Sequence, residues 1–341
     1  MNEIILAIES SCDDTSIAIL RQRKVLANVT ANQQIHAEYG GVVPEFASRA
    51  HQQNIVPTLS RALKLAEVSI NDVDAIAFTA GPGLLGSLLV GTSFAKSLSL
   101  ALGKPLIEVN HMQAHILSHF IENESNRHPK FPFLCLTVSG GHSQIVKVNS
   151  PYEFQLIGET LDDAAGEAFD KSGKMMGLEY PAGPIIDKLA QDGNSQTFNF
   201  AKPKVPNYNY SFSGLKTSVL YFLQKQVSDN PNFVAENLND LAASIQSTII
   251  DVLLDKLMKA AKDLNITEIA IAGGVSANSG LREALKKKKE TLKWEVYIPD
   301  MQYCTDNGGM IGIAAYYKYL IKDFANLASV AKARKPVSTI S

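Results

Sequence analysis

Cysteine is scarce in this 341-residue chain. Its three cysteines, Cys12, Cys135 and Cys304, are too few and too scattered for a disulfide framework. That excludes a disulfide-stapled secreted scaffold and points to a reducing cytoplasm. Net charge is also nearly absent, at −2, so no global field draws the chain to a polyanion. A nucleic-acid partner must be met by local patches, such as the run Lys286 to Lys289 or the group Arg21, Arg23 and Lys24. Long uncharged apolar runs are missing too. The most apolar stretch, 84–102, contains Lys96 and many Ser and Gly, and reads as a buried helix rather than a membrane span. The opening residues, with Glu3 beside a short apolar run, do not read as a signal peptide. What is present is ordinary for a globular protein: 45% hydrophobic and 19% charged residues, in a length that suggests two domains.

Apolar runs bounded by polar turns place strands at 4–8, 16–20, 25–29, 75–79, 106–109, 133–138, 144–148, 154–157, 268–272 and 295–298. Helical spacing marks 44–68, 87–102, 111–121, 163–176, 184–191, 238–264, 276–289 and 306–320. Alternating strands and helices argue for an α/β architecture. A strand, polar turn and strand open the chain, and the same pattern returns at 133–148, which reads as an internal duplication. The polar stretch 123–132 is a candidate linker, and 196–213 a surface loop.

His111 and His115 stand four apart on the helix expected at 111–121, and His119 shares their face. Two imidazoles at that spacing can be offered to one metal, and a distant carboxylate such as Asp306 would complete a two-histidine, one-carboxylate set. The plainer alternative is a pair of helix histidines with no metal. A zinc peptidase needs Glu after the first histidine, and Met112 stands there. Three glycine turns follow strands: Gly81-Pro-Gly83, Ser139-Gly-Gly141 and Gly273-Gly274. Such turns let a phosphate approach the backbone. Asp170 and Asp187 flank 177–183 and read either as ribose acceptors or as solvated helix carboxylates.

The segments Ile8-Glu-Ser-Ser-Cys-Asp13, Gly40-Gly-Val-Val-Pro-Glu45 with Ala47-Ser-Arg-Ala-His51, Gly81-Pro-Gly-Leu-Leu-Gly86, His111 to His115, Val138-Ser-Gly-Gly-His142, Asp163 to Asp170, Tyr180 to Pro184, Ser211 to Thr217, Ala272 to Asn278 and Cys304-Thr-Asp-Asn307 run through nearly the whole chain in order. In them the chain resembles the universal tRNA adenosine threonylcarbamoyltransferase family, and is similar to its bacterial form. The resemblance implies two duplicated actin-like, sugar-kinase-like α/β domains with a nucleotide cleft between them, set here at 1–110 and 111–341. It implies one divalent metal, iron ahead of zinc, held by His111, His115 and Asp306. It places threonylcarbamoyl-AMP along Thr137, Val138, Ser139, Gly140 and Gly141, with Asp170, Gly183, Asp187 and Asn278 around the nucleoside. Asp13 and Asp14 are the candidate catalytic carboxylates; the family usually carries Glu at position 14, one methylene longer.

The implied reaction carries threonylcarbamoyl from the adenylate to N6 of the adenosine 3′ of the anticodon, in tRNAs reading codons that begin with adenine. The implied partners are tRNA, a metal-free paralogue of the same fold (TsaB-like), a small ATPase (TsaE-like) and an adenylate-forming synthase, in the cytoplasm and without a membrane. A small-molecule kinase, a metallopeptidase and a non-catalytic scaffold are the rival readings.

Overall fold

The computed structural model describes residues 2–33, 36, 39–122 and 127–339, so residues 123–126 of the expected linker lie outside it. Five strands form the first sheet: β1 (Ile4–Glu9), β2 (Thr15–Arg21), β3 (Lys24–Ala31), β4 (Ala75–Gly81) and β5 (Leu106–Asn110), in the order β3-β2-β1-β4-β5. β1 pairs antiparallel with β2 and parallel with β4, and β4 runs parallel to β5. β1 and β4 are wholly buried. Strands covered by helices lose the alternation of a half-exposed sheet, which is why both read as unbroken apolar runs. α1 (Pro44–Ala66) packs on β2 and β3, and α2 (Leu85–Leu102) on β4 and α1. α2, with mean hydropathy 1.4, is the one helix among the described residues long and apolar enough to cross a membrane. Here it buries Leu88, Gly91 and Ala95 in the protein. The short α3 (His111–Leu117) leaves the end of β5 directly.

The second sheet holds β6 (Phe133–Val138), β7 (Ser143–Ser150), β8 (Glu153–Glu159), β9 (Glu268–Ala272) and β10 (Glu295–Tyr297), in the order β10-β9-β6-β7-β8. Counted from its own first strand, this is the order of the first sheet. The first pair is again antiparallel, and the fourth and fifth strands again run parallel to the first. The duplication expected from two hairpins is therefore present as topology. α4 (Ala165–Met175), α5 (Ala182–Ala190), α6 (Ser213–Asp229), α7 (Phe233–Glu236), the long buried α8 (Leu238–Leu264) and α9 (Ser279–Leu292) go with this sheet.

The chain forms two compact units, 1–129 with 149–155 and 299–341, and 130–148 with 156–298. The contiguous division at 110/111 draws the line elsewhere. The last helix, α10 (Gly308–Leu320), shows why: it follows β10 but packs on β1 and β2. Gly308 makes this approach close. Its N–H donates to Ser16 Oγ at 2.9 Å, and a Cβ there would lie 2.5 Å from Ala18 N. Asn307 caps α10, its Oδ1 accepting from Met310 N at 2.9 Å, so Asp306 sits in the turn that this docking fixes.

Three expectations are corrected and two helices are added. The stretch 196–213 is irregular, but Phe200, Tyr210 and Phe212 are buried in the second unit's core. Backbone bonds from Tyr210 N to Glu159 O and from Leu161 N to Tyr210 O satisfy the buried chain there. α6 and α7 were not read from the sequence; α6 buries Leu215, Val219 and Leu223 in a helix of weak amphipathic contrast. α9 begins at Ser279 with Asn278 as its cap rather than at Ser276. α3 stops at Leu117 instead of 121, and 118–120 is a 3-10 turn. Ser118 Oγ donates to His115 O at 2.7 Å, competing for a carbonyl that a continuing helix would use.

Gly308→Ala should lower the thermal midpoint, at a cost of about 1–3 kcal/mol, because the methyl meets backbone rather than a movable side chain. Gly274→Ala, where a Cβ has no neighbour within 4 Å, should melt like the parent. Equal midpoints for all three proteins would show that α10 docks more loosely than this.

Candidate active site and metal cluster

In the first unit, β1 ends in Glu9, which is fully buried. Glu9 accepts from Thr79 Oγ1 at 2.6 Å and from Ser11 N, and its Oε2 lies 3.1 Å from His111 Nδ1. With Nδ1–H donating to that carboxylate, the His111 lone pair is at Nε2. His111 Nε2 lies 3.4 Å from Asp306 Oδ1, and His115 Nε2 lies 3.1 Å from the same oxygen. One donor atom from each of the three residues lies within 4.8 Å of the others. Donors 2.0–2.1 Å from one ion stand about 3.0 Å apart at right angles and about 3.4 Å apart at the tetrahedral angle. The three residues thus fit a divalent metal, and Glu9 stands where a carboxylate would orient a ligand histidine. His119 falls in the 3-10 turn and outside this cluster.

The electrostatics agree with a cation site. Burial opposes a charge on His111, but Asp306 and Glu9 outweigh it and raise its pKa to about 9. Burial, then Asp306 and Asp13, push Asp14 up to about 7, against a 2.7 Å bond from Asn32 Nδ2. Burial and the same carboxylates hold the Cys12 thiol far above its ordinary range, so it is no nucleophile. His51, its pKa lowered by burial, ties the turn together: its ring nitrogens contact Thr15 Oγ1 at 2.7 Å and Cys12 O at 3.0 Å. Asp13 and Asp14 sit half-buried on this turn. Glu9, Ser11 and His51 lie in segments that carry the family resemblance but were given no role from the sequence, and Thr79 was not singled out. A carboxylate closing an otherwise apolar strand was a further signal for Glu9.

In the second unit, Thr137 and Val138 are buried at the end of β6. Ser139 Oγ accepts from Gly141 N and His142 N, and Gly140 and Gly141 are exposed. Gly273 has φ +87°, and a Cβ there would lie 2.4 Å from Val138 O, so this turn lies against the end of β6. Asp170 Oδ1 accepts from Ala182 N at 2.9 Å and Gly183 N at 3.4 Å, at the start of α5. Burial raises its pKa despite these bonds. Asp187 accepts from Ser279 N and Oγ at the start of α9. Asn278 spends its amide inside the protein, Oδ1 accepting from Leu281 N and Nδ2 donating to Gln246 Oε1 at 2.6 Å. The structure thus brings these residues to strand ends and helix N-termini, where a Cβ added at Gly140, Gly141 or Gly274 would meet nothing within 4 Å.

A family model described as tRNA N6-adenosine threonylcarbamoyltransferase matches residues 24–313. A protein of that name from Riemerella anatipestifer is 62% identical over 331 residues, covering 97% of each chain. Another from Porphyromonas gingivalis is 58% identical over 333 residues, covering 97% of this chain and 98% of its own. Among solved structures, full-length HypF in its phosphate- and nucleotide-bound form gives a TM-score of 0.64 at 15% identity, over 94% of this chain and 47% of that one. Component A of the Acidaminococcus fermentans (R)-2-hydroxyglutaryl-CoA dehydratase gives 0.53 at 15% identity, over 94% and 99%. At such identities the structures show the fold alone, that of actin-like ATPases and sugar kinases.

His111→Ala should remove most of the metal that the parent holds while leaving the fold intact, as read by elemental analysis beside circular dichroism. Loading the metal-free parent near pH 7.5 should release about one proton per ion, because His111 is protonated below pH 9 and must lose that proton to ligate. Equal metal in both proteins would remove the site. In the second unit, Gly274→Val should weaken adenylate binding tenfold or more, about 1.4 kcal/mol, with metal content unchanged. An unaltered calorimetric affinity would exclude that turn from the nucleotide site.

Proposed function

Because the chain belongs to the tRNA N6-adenosine threonylcarbamoyltransferase family, we propose that it moves threonylcarbamoyl from threonylcarbamoyl-AMP to N6 of the adenosine following the anticodon, in tRNAs reading codons that begin with adenine. The observation that carries this reading is the convergence of His111 and His115 on Asp306 beside a carboxyl held near pH 7, in a chain of this family. The N6 nitrogen attacks the carbamoyl carbon, forming the C–N bond. The C–O bond to phosphate breaks, and AMP leaves with the electron pair. Asp14 takes the N6 proton; a carboxylate with a raised pKa is the better base for a weak amine. Asp13 shares the turn and helps to keep that pKa high. A divalent metal, iron ahead of zinc, held by His111, His115 and Asp306 would supply Lewis-acid charge to the acyl donor. The amides of the turns at 139–141 and 273–274 receive phosphate charge. The second oxygen of Asp170, which has no protein partner among the described residues, is the ribose acceptor, with Gly183 and Asp187 on the neighbouring helix α5.

tRNA is held by local basic patches, among them Lys286 to Lys289 on α9. Its adenosine must be unstacked to present N6. The exposed Leu85, Leu89 and Leu100 of α2, with Val56 of α1, form an apolar surface for the metal-free paralogue. A small ATPase and an adenylate-forming synthase complete the cytoplasmic system.

With these partners, threonine, bicarbonate and ATP, unmodified tRNA should yield threonylcarbamoyladenosine, read by nucleoside mass spectrometry. The rate should fall steeply with salt. It should also rise with pH to a plateau, since only the deprotonated Asp14 accepts a proton. The inflection lies at or below about 7, because a bound cation offsets part of the repulsion from Asp306. Asp14→Asn should lose about 10²–10⁴-fold and the inflection with it. Adenosine left unmodified by the complete system would refute the transferase reading; an unchanged pH profile in Asp14→Asn would refute only the base.

A further inference from the structure

The segment 332–339 runs along the ends of β4 and β5, the strands that lead into the metal site. Lys332 N donates to Ala80 O at 2.8 Å, and Gly83 N to Ala333 O at 3.1 Å. A Cβ on Gly81 would lie 2.0 Å from Lys332 O, so the segment lies directly on the backbone of β4. Lys335 Nζ pairs with Glu108 of β5 at 3.2 Å, and Thr339 exchanges hydrogen bonds with Phe154. Between these anchors, the segment meets the histidine helix. Asn110 Nδ2 donates to Pro336 O at 2.8 Å, and Gln113 Nε2 donates to Val337 O at 2.8 Å. Val337 is 1% exposed.

Asn110 and Gln113 bracket His111. α3 has only seven residues, too few to hold its own geometry. The Asn110 carboxamide works at both ends: Oδ1 accepts from Met112 N at 2.9 Å and Gln113 N at 3.2 Å while Nδ2 is held by Pro336 O. The segment therefore fixes which end of that amide faces the helix. α3 packs on α10 through its buried face, but towards the segment a cavity of about 470 Å³ lies between Asn110, Gln113 and Leu117 on one side and Lys335, Pro336 and Ser338 on the other. The two side-chain amides span its edge.

We infer that segment 332–339 is a strap that sets the orientation of α3 through Asn110 and Gln113, making these two the positioning residues for the histidine ligands. The inference rests on reading His111, His115 and Asp306 as a metal site. Removing the strap's grip leaves the ligands present but no longer converged, so the metal is lost by misorientation rather than by loss of a donor.

Gln113→Met is the test, because it keeps length and neutrality but cannot donate to Val337 O. A chain ending at Val330 is the second variant. Zn²⁺ affinity is measured by chelator competition, Co²⁺ by its visible absorption, and each metal-free protein by its thermal midpoint. Gln113→Met should bind Zn²⁺ at least about tenfold more weakly than the parent and show an altered Co²⁺ spectrum, with an unchanged metal-free midpoint. If the shortened chain fails to fold, Gln113→Met decides alone. Parental affinity and an unaltered spectrum in Gln113→Met would overturn the strap while leaving the metal site standing. A parent that binds neither ion would overturn both.

Discussion

Negative charge gathered out of water at the end of β1 is the constraint around which the first unit is arranged. Glu9 is fully buried, and Asp13, Asp14 and Asp306 stand close enough to perturb one another's surroundings. Carboxylates crowded in this way need a cation. In the metal-free chain the proton on His111 plays that part, which is why its pKa rises although burial opposes it. The same field pushes Asp14 and Cys12 upward. One electrostatic demand thus accounts for a cluster suited to a cation, a carboxyl held near neutrality and an inert thiol.

The backbone serves that demand. β1 delivers Glu9, β5 delivers the helix with both histidines, and α10, docked through Gly308 on β2, delivers Asp306. Three elements distant in sequence meet at the ends of a sheet whose central strands are parallel, where open α/β sheets bind ligands. The second unit repeats the strand order with a different outcome. Its carboxylates, Asp170 and Asp187, accept from helix N-termini, and its glycine turns leave open space where side chains would stand. A duplicated scaffold carries a cluster of histidines and carboxylates in one copy and glycine turns beside helix N-termini in the other.

Much of this was legible in residue patterns. Buried parallel strands announce themselves as apolar runs, so most strands were placed well; the repeated hairpin announced the duplication. His111 and His115 could be paired by spacing because a helix converts a separation of four residues into one face. Asp306 could only be nominated. Where the reading failed, the cause was tertiary. Phe200, Tyr210 and Phe212 sit in a polar, proline-containing stretch whose burial depends on α8 and β8 being there to receive it. α6 has little amphipathic contrast and therefore little signal. α3 ended early because one serine hydroxyl competed for a carbonyl.

Fold class, duplication, family and the chemical types at the site could all be read from residue order, because they follow from periodicity and from the succession of short motifs along the chain. Folding alone brings Glu9 against His111, holds Asp14 near pH 7, returns α10 to the first sheet, and bonds segment 332–339 to Asn110 and Gln113. Those facts depend on distances between residues up to some 300 positions apart. Coulombic and hydrogen-bond energies are set by ångströms in space, and separation along a chain does not record them.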